Sequence, residues 1–335
     1  MPDDFLAFIC EAFGIHEDDL VVGGRYMNLQ DLSKLPNPFG TSLMQVVPPP
    51  MRVPYLDEVG VMFKAVEKSD VLLQFPYQSF DYLIRFLMEA AFDPEVDEIK
   101  ITQYRVAENS AVINTLISAA QNGKKVTVFV ELKARFDEKN NLSTAEKMEQ
   151  SGIKIIYSLP GLKVHAKVAV ILRNHPGKED FAYLSTGNFN EKTAKIYSDM
   201  ALLTCNKDII TDINRVFDVL EQKEQKPDFR YLLVAQFNMI PELIRMIRRE
   251  TDHVKAGRKG RIVLKMNGLH DKRMIDELYR ASESGVEIDL IVRGICCLVP
   301  NQLYSRNIRV TRIVDVFLEH SRIWYFHNGG VEDLY

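Results

Sequence analysis

Two short triplets could start covalent chemistry. In Val164-His165-Ala166-Lys167 a histidine and a lysine stand two residues apart, within a run read as a strand over 163–171. Residues two apart on a strand project from one face. An imidazole beside an ammonium draws in anions, and the positive neighbour favours the neutral, nucleophilic ring. Alone, such a pair is more often a half-buried strand histidine with its neighbour. The sequence repeats it, however, as Glu319-His320-Ser321-Arg322. Two copies at corresponding places argue against two accidents and suggest one cleft served by both.

Anionic substrates need fixed cationic forks, and a planar guanidinium can bond two oxygens at once. Arg105 closes a strand read over 97–106, Arg135 comes just after a strand over 125–132, and Arg293 closes one over 286–292. In α/β sheets the carboxyl ends of strands line the ligand crevice. The turn Thr186-Gly187-Asn188-Phe189-Asn190-Glu191 leads from a strand into an expected helix, where backbone N–H groups attract anions. Capping of that helix by Asn190 explains the turn equally well. Spacing gives Tyr197 no role of its own. No phosphate-binding P-loop, dinucleotide glycine motif, zinc-protease motif or serine elbow occurs.

The elements that must carry these residues alternate. Strands over 97–106, 125–132 and 153–157 enclose helices over 109–122 and 143–150. Strands over 163–171, 181–186 and 199–205 come next, then a long amphipathic helix over 207–222. This is an α/β pattern. The charged stretch 222–228, punctuated by Pro227, marks a domain boundary. Beyond that boundary the chain repeats its first half. Gly152-Ile153-Lys154-Ile155 is answered by Asn307-Ile308-Arg309-Val310, and Ala119-Ala120-Gln121-Asn122-Gly123 by Ala281-Ser282-Glu283-Ser284-Gly285. Before the first unit, Phe5, Phe8, Ile9, Ala12 and Phe13 fall at helical spacing, and a linker is expected around Pro48-Pro49-Pro50 and Pro54.

The 335 residues, 46% hydrophobic and 26% charged, suit about two folded domains and exclude a disordered or fibrous chain. No apolar run approaches the roughly 18 residues of a membrane span, and Asp3 and Asp4 do not fit a secretory leader, so a cytoplasmic protein is expected. The four cysteines, Cys10, Cys205, Cys296 and Cys297, lack metal or redox spacing and are expected reduced and buried. A net charge of −4 offers no general grip on nucleic acid or membrane, so any anion must be held locally.

Several longer stretches carry a resemblance: Tyr104-Arg105-Val106-Ala107, Val130 through Glu138, Pro160 through Lys167, Thr186 through Ala194, Val292-Arg293-Gly294 and Leu318-Glu319-His320. They resemble the catalytic half of bacterial polyphosphate kinases, from about residue 5 to the end. The resemblance implies two phospholipase D-like α/β domains related by an internal repeat, preceded by the end of a helical domain. The expected division is 1–50 for a helical remnant and linker, 51–225 for the first catalytic domain, and 226–335 for a second one, cut short. It implies reversible transfer of the ATP terminal phosphate to inorganic polyphosphate through a phosphohistidine at His165, with His320 as acid or base and Lys167 beside the nucleophile. Tyr197, Arg293 and His320 are implied to contact ATP, and Arg105 and Arg135 to hold the phosphates that carry Mg2+; Asn188 on its turn and Arg322 in the second triplet are expected to bind phosphate as well. The implied partners are ATP, ADP and polyphosphate, not nucleic acid, with homo-oligomerisation and peripheral membrane association of the full-length protein. Leu172 stands where the phospholipase D pattern has an aspartate, against the alternative of a phosphodiesterase. The other alternative is a fragment that only binds polyphosphate or dimerises.

Overall fold

The computed structural model describes residues 2–20, 22–24, 35–36, 38, 40, 47–104, 109–131, 138–158, 161–173 and 175–335, the side chains of 138–140 excepted. The chain forms two units, one ending at Pro48 and one over Pro49–Tyr335. In the first, helix α1 (Asp3–Phe13) forms where the apolar spacing predicts it and buries no residue. It stops at Gly14, whose φ of 63° is left-handed and suits glycine.

The second unit opens with α2 (Pro54–Val59), α3 (Met62–Lys68), β1 (Val71–Phe75) and α4 (Asp81–Phe92). Pro54 is therefore no linker residue. It begins a helix, where its missing N–H costs nothing. Next come β2 (Glu98–Gln103), α5 (Ala111–Gln121), β3 (Lys125–Val130), α6 (Glu138–Gln150), β4 (Lys154–Tyr157), β5 (Lys167–Leu172), β6 (Phe181–Ser185), β7 (Tyr197–Thr204) and α7 (Lys207–Leu220). The strands order as β1-β7-β6-β5-β2-β3-β4. Ile99, Ile101, Val126 and Val128 join Leu83, Leu87 and Leu116 in a core on the α4 and α5 side. Phe129, Val168 and Val170 face Ile213 and Phe217 of α7 on the other. Burial on both faces explains why these strands read as unbroken apolar runs.

The remaining chain supplies α8 (Met239–Lys255), β8 (Arg261–Met266), α9 (Lys272–Glu283), β9 (Glu287–Val292), β10 (Ile308–Thr311), β11 (Leu318–Glu319), β12 (Ile323–Phe326) and β13 (Asp333–Leu334). Its sheet runs β10-β9-β8-β12-β13. The repeat read in the sequence is visible in the pairing. β5 is antiparallel to β2, which is parallel to β3, which is parallel to β4. β12, β8, β9 and β10 reproduce those relations in the same order. Gly123 after α5 and Gly285 after α9 both take positive φ, 82° and 100°, ending matching helices. β11 is the exception, since it leaves its own half and pairs with β7.

Three further expectations are corrected. β5 starts at Lys167, so His165 precedes the strand. Its backbone neighbourhood is held by side chains instead of a ladder: Val164 N donates to Glu131 Oε2 (2.9 Å) and Thr102 Oγ1 to Ala166 O (2.8 Å). The helix expected after Asn190 is a single 3-10 turn over Thr193–Lys195, because the few residues before β7 leave no room for more. The four cysteines are free, but none is fully buried and Cys297 is exposed. Among the described residues no helix is long and apolar enough to cross a membrane.

Candidate active site

Because β5 runs against β2 and β6 against β5, the carboxyl ends of β2, β3 and β6 and the amino ends of β5 and β7 meet at one end of the sheet. His165 sits there. Its ring packs edge-on against Tyr104, centroids 4.4 Å apart, and Lys167 Nζ lies 2.8 Å from its Nδ1. Lys167 is 3% exposed and also lies over the Tyr104 ring at 4.9 Å, with Lys163 Nζ at 5.7 Å. Burial first, then the charges of Lys167, Arg322, His320 and Lys163, lower the His165 pKa to about 3. The residue keeps an open side, where water moderates the shift; the direction carries the chemistry, a neutral ring near pH 7.

The second histidine reaches the same place by a crossing. β11 pairs with the start of β7, Leu318 with Tyr197 and Glu319 with Ser198. His320 N and Ser321 N then both donate to Ser198 O, at 3.1 and 2.9 Å. His320 Nδ1 lies 2.6 Å from Asp199 Oδ1, and that oxygen also accepts from Thr186 Oγ1 at 2.7 Å. Asp199 is 2% exposed and His320 8%. Gly187 makes room for this pair, since a Cβ there would meet Asp199 at 2.7 to 2.9 Å. Burial lowers the His320 pKa, Asp199 opposes it, and Arg322 and Arg293 add to the lowering. The Tyr197 ring lies 5.1 Å from that of His320, and Arg322 Nη1 donates to His320 O. Two imidazoles, one from each half, thus share a cationic setting, each with its pKa lowered chiefly by burial.

Residues 61–226 match the polyphosphate kinase C-terminal domain 1 model and residues 232–335 the polyphosphate kinase C-terminal domain 2 model. The chain belongs to the polyphosphate kinase family. A polyphosphate kinase from Yersinia pestis is 44% identical over 338 residues, covering 100% of this chain and 49% of the relative. One from Synechocystis is 48% identical over 277 residues, covering 82% and 38%. The crystal structure of polyphosphate kinase from Porphyromonas gingivalis superposes with a TM-score of 0.84 at 54% identity, covering 100% of this chain and 54% of that one. The chain spans about half the length of the polyphosphate kinases it matches.

Of the residues singled out in the sequence, the fold sets Lys167 on His165, sets Tyr197 and Arg322 on His320, and brings both groups to one end of the sheet, where the charge of Arg322 is felt at His165 and that of Arg293 at His320. Asn188 is buried on the β6–β7 turn, and its Oδ1 has no hydrogen-bond partner among the described residues. Asn190 caps the short turn, its Oδ1 accepting from Lys192 N and Thr193 N at 3.0 Å each. Arg105 and Arg135 lie outside the described residues. Sequence reasoning missed Asp199 and Tyr104. An acidic residue beginning a strand otherwise rich in apolar residues was the one available signal for the first, and its partner lies in the other half of the chain. Among the described residues no cluster of three or more histidine, cysteine or carboxylate groups fits a resident metal ion.

Proposed function

We propose that this chain carries the catalytic centre of a polyphosphate kinase, transferring the terminal phosphoryl group of ATP reversibly to inorganic polyphosphate through a phosphohistidine at His165. The observation that carries the reading is the pairing of a neutral His165 with His320, contributed by the duplicated half and held by Asp199. Family membership supports it, and the chain's length relative to its relatives makes the whole protein's activity, substrates and partners part of the proposal. A phosphodiesterase has no observation in its favour.

The steps balance as two displacements. A ring nitrogen of His165 gives its lone pair to the γ-phosphorus, the bond to the β-phosphate oxygen breaks, and ADP departs with that electron pair. A terminal oxygen of polyphosphate then attacks the same phosphorus and the P–N bond breaks, lengthening the chain by one unit. In the resting geometry the Lys167 ammonium covers the Nδ1 lone pair. An arriving phosphate competes for that ammonium, uncovers the ring and gains a cation for its own oxygens. His320 has Nδ1 committed to Asp199, leaving Nε2 to accept or return a proton at the transferring group. Lys167, Arg293, Arg322, Asn188 and Tyr197 would line the phosphates. Charge neutralisation and positioning supply most of the catalysis in such transfers.

Guanidinium groups cannot ligate a cation, so Arg105 and Arg135 would contact phosphate oxygens. Among the described residues no group of three or more histidine, cysteine or carboxylate side chains offers Mg2+ a cage, which suits an ion that arrives on the phosphates of the nucleotide. The division at 1–50, 51–225 and 226–335 is part of the same proposal. Homo-oligomerisation and peripheral membrane association of the full-length protein rest on the resemblance alone. The test is exposure to ATP labelled on its terminal phosphate. Wild type should take up acid-labile, alkali-stable label, His165→Ala should take up none, and His320→Ala should be labelled slowly. Stable label in His165→Ala would end the reading.

A further inference from the structure

In the second half, Arg293 is gripped by the end of the neighbouring strand. β8 and β9 pair in register up to Met266 with Val292, so Asn267 and Arg293 leave the sheet side by side. The two loops then stay zipped. Arg293 N donates to Met266 O (3.2 Å), Gly294 N to Asn267 O (2.7 Å), Leu269 N to Ile295 O (2.8 Å) and Cys297 N to Leu269 O (2.8 Å). Gly294 permits the approach, because a Cβ there would stand 2.8 Å from Asn267 O. Across this ladder Arg293 Nη2 donates to Asn267 Oδ1. Arg293 Nη1 is buried and has no hydrogen-bond partner among the described residues. A buried guanidinium donor left bare is costly unless a ligand completes it.

We propose that Asn267 is a positioning residue that holds Arg293 by one Nη so that the other meets a phosphoanhydride oxygen of the bound substrate. This rests on reading the cleft as a phosphoryl-transfer centre and adds to it the part that aims the fork. The charge of Arg293 is felt at both His320 and Arg322, so its guanidinium lies within electrostatic reach of the second histidine. The internal repeat gives independent support. β2 and β3 pair up to Gln103 with Val130, so Tyr104 and Glu131 are the first-half counterparts of Asn267 and Arg293. In the first half the residue closing the inner strand, Tyr104, packs on His165. In the second half the equivalent residue, Asn267, grips the arginine. One station of a duplicated scaffold orients the nucleophile in one copy and the phosphate fork in the other. A clamped arginine loses less side-chain freedom when the anion binds, so the clamp lowers the substrate concentration needed.

The experiment measures phosphoenzyme formation on the full chain with two labelled donors, ATP and polyphosphate, in wild type, Asn267→Ala, Asn267→Leu, Arg293→Ala and the Asn267→Ala, Arg293→Ala double variant. Asn267 is exposed, so its variants should melt with wild type. Each Asn267 variant should raise the donor concentration for half-maximal labelling about tenfold while leaving the maximal rate nearly unchanged. In the Arg293→Ala background the same change should have no effect, which a merely structural asparagine would not produce. A shift with ATP alone assigns the fork to the nucleotide, and a shift with both donors assigns it to a phosphate position they share. Unchanged half-saturation with both donors, or an equal added loss without Arg293, overturns the clamp. Should wild type accept label from neither donor, the phosphoryl-transfer reading falls separately. Calorimetric binding of inorganic tripolyphosphate to wild type and Asn267→Ala then decides the clamp, with equal affinities counting against it.

Discussion

His165 serves as a nucleophile only with a free lone pair, and its surroundings decide that more than its identity does. With the pKa lowered to about 3 in the folded chain against about 6.5 unfolded, the ring stays neutral across the physiological range. The stability linked to that shift is present above about pH 6.5 and is lost as pH falls toward 3. An NMR titration, with the ring signals identified by their loss in His165→Gln, should show no protonation between pH 5 and 8. A midpoint near 6.5 would contradict the electrostatics. Lys167→Met should raise the midpoint, since the nearest positive charge is gone. Asp199 acts one contact further out. Asp199→Asn keeps the volume but weakens the hold on His320 Nδ1, and should slow phosphoryl transfer about 100-fold with label still confined to His165. Label found elsewhere, or an unchanged rate, would remove Asp199 from the site.

Among the elements, β11 does most to build the centre although it is only Leu318–Glu319. It crosses from the second half to pair with β7, and Leu318 N donates to Ile196 O at 2.9 Å. Leu318→Pro removes that donor and should cost about 1 kcal/mol locally. Phosphoenzyme formation should fall far more than thermal stability does, because the first sheet's other pairings persist. A melting temperature reduced in proportion to activity would refute this. The long elements were legible: α5 from its apolar spacing and its closing Asn122-Gly123, and β2 and β3 from their apolar runs. The short ones were not. Nothing in Leu318-Glu319 distinguishes it from a loop, and the turn after Asn190 carries a helix signal that the approaching strand cuts short.

For the whole molecule, a net charge of −4 means that anions are held by a local cluster and not by a general field. Excess unlabelled polyphosphate should therefore compete with ATP for the labelling reaction, while duplex DNA at equal phosphate concentration and about 0.15 M salt should not. Inhibition by DNA would point to a wider basic surface. The sequence by itself determined the α/β class, the duplication and the two histidine triplets, because periodicity, turn glycines and repeated motifs are local and survive in one dimension. Only the tertiary structure decided that His320 is held by Asp199, that Tyr104 lies on His165 and that Asn267 grips Arg293. Each of these contacts joins residues far apart in the chain, and which distant side chains meet depends on strand order and register, which no local pattern encodes.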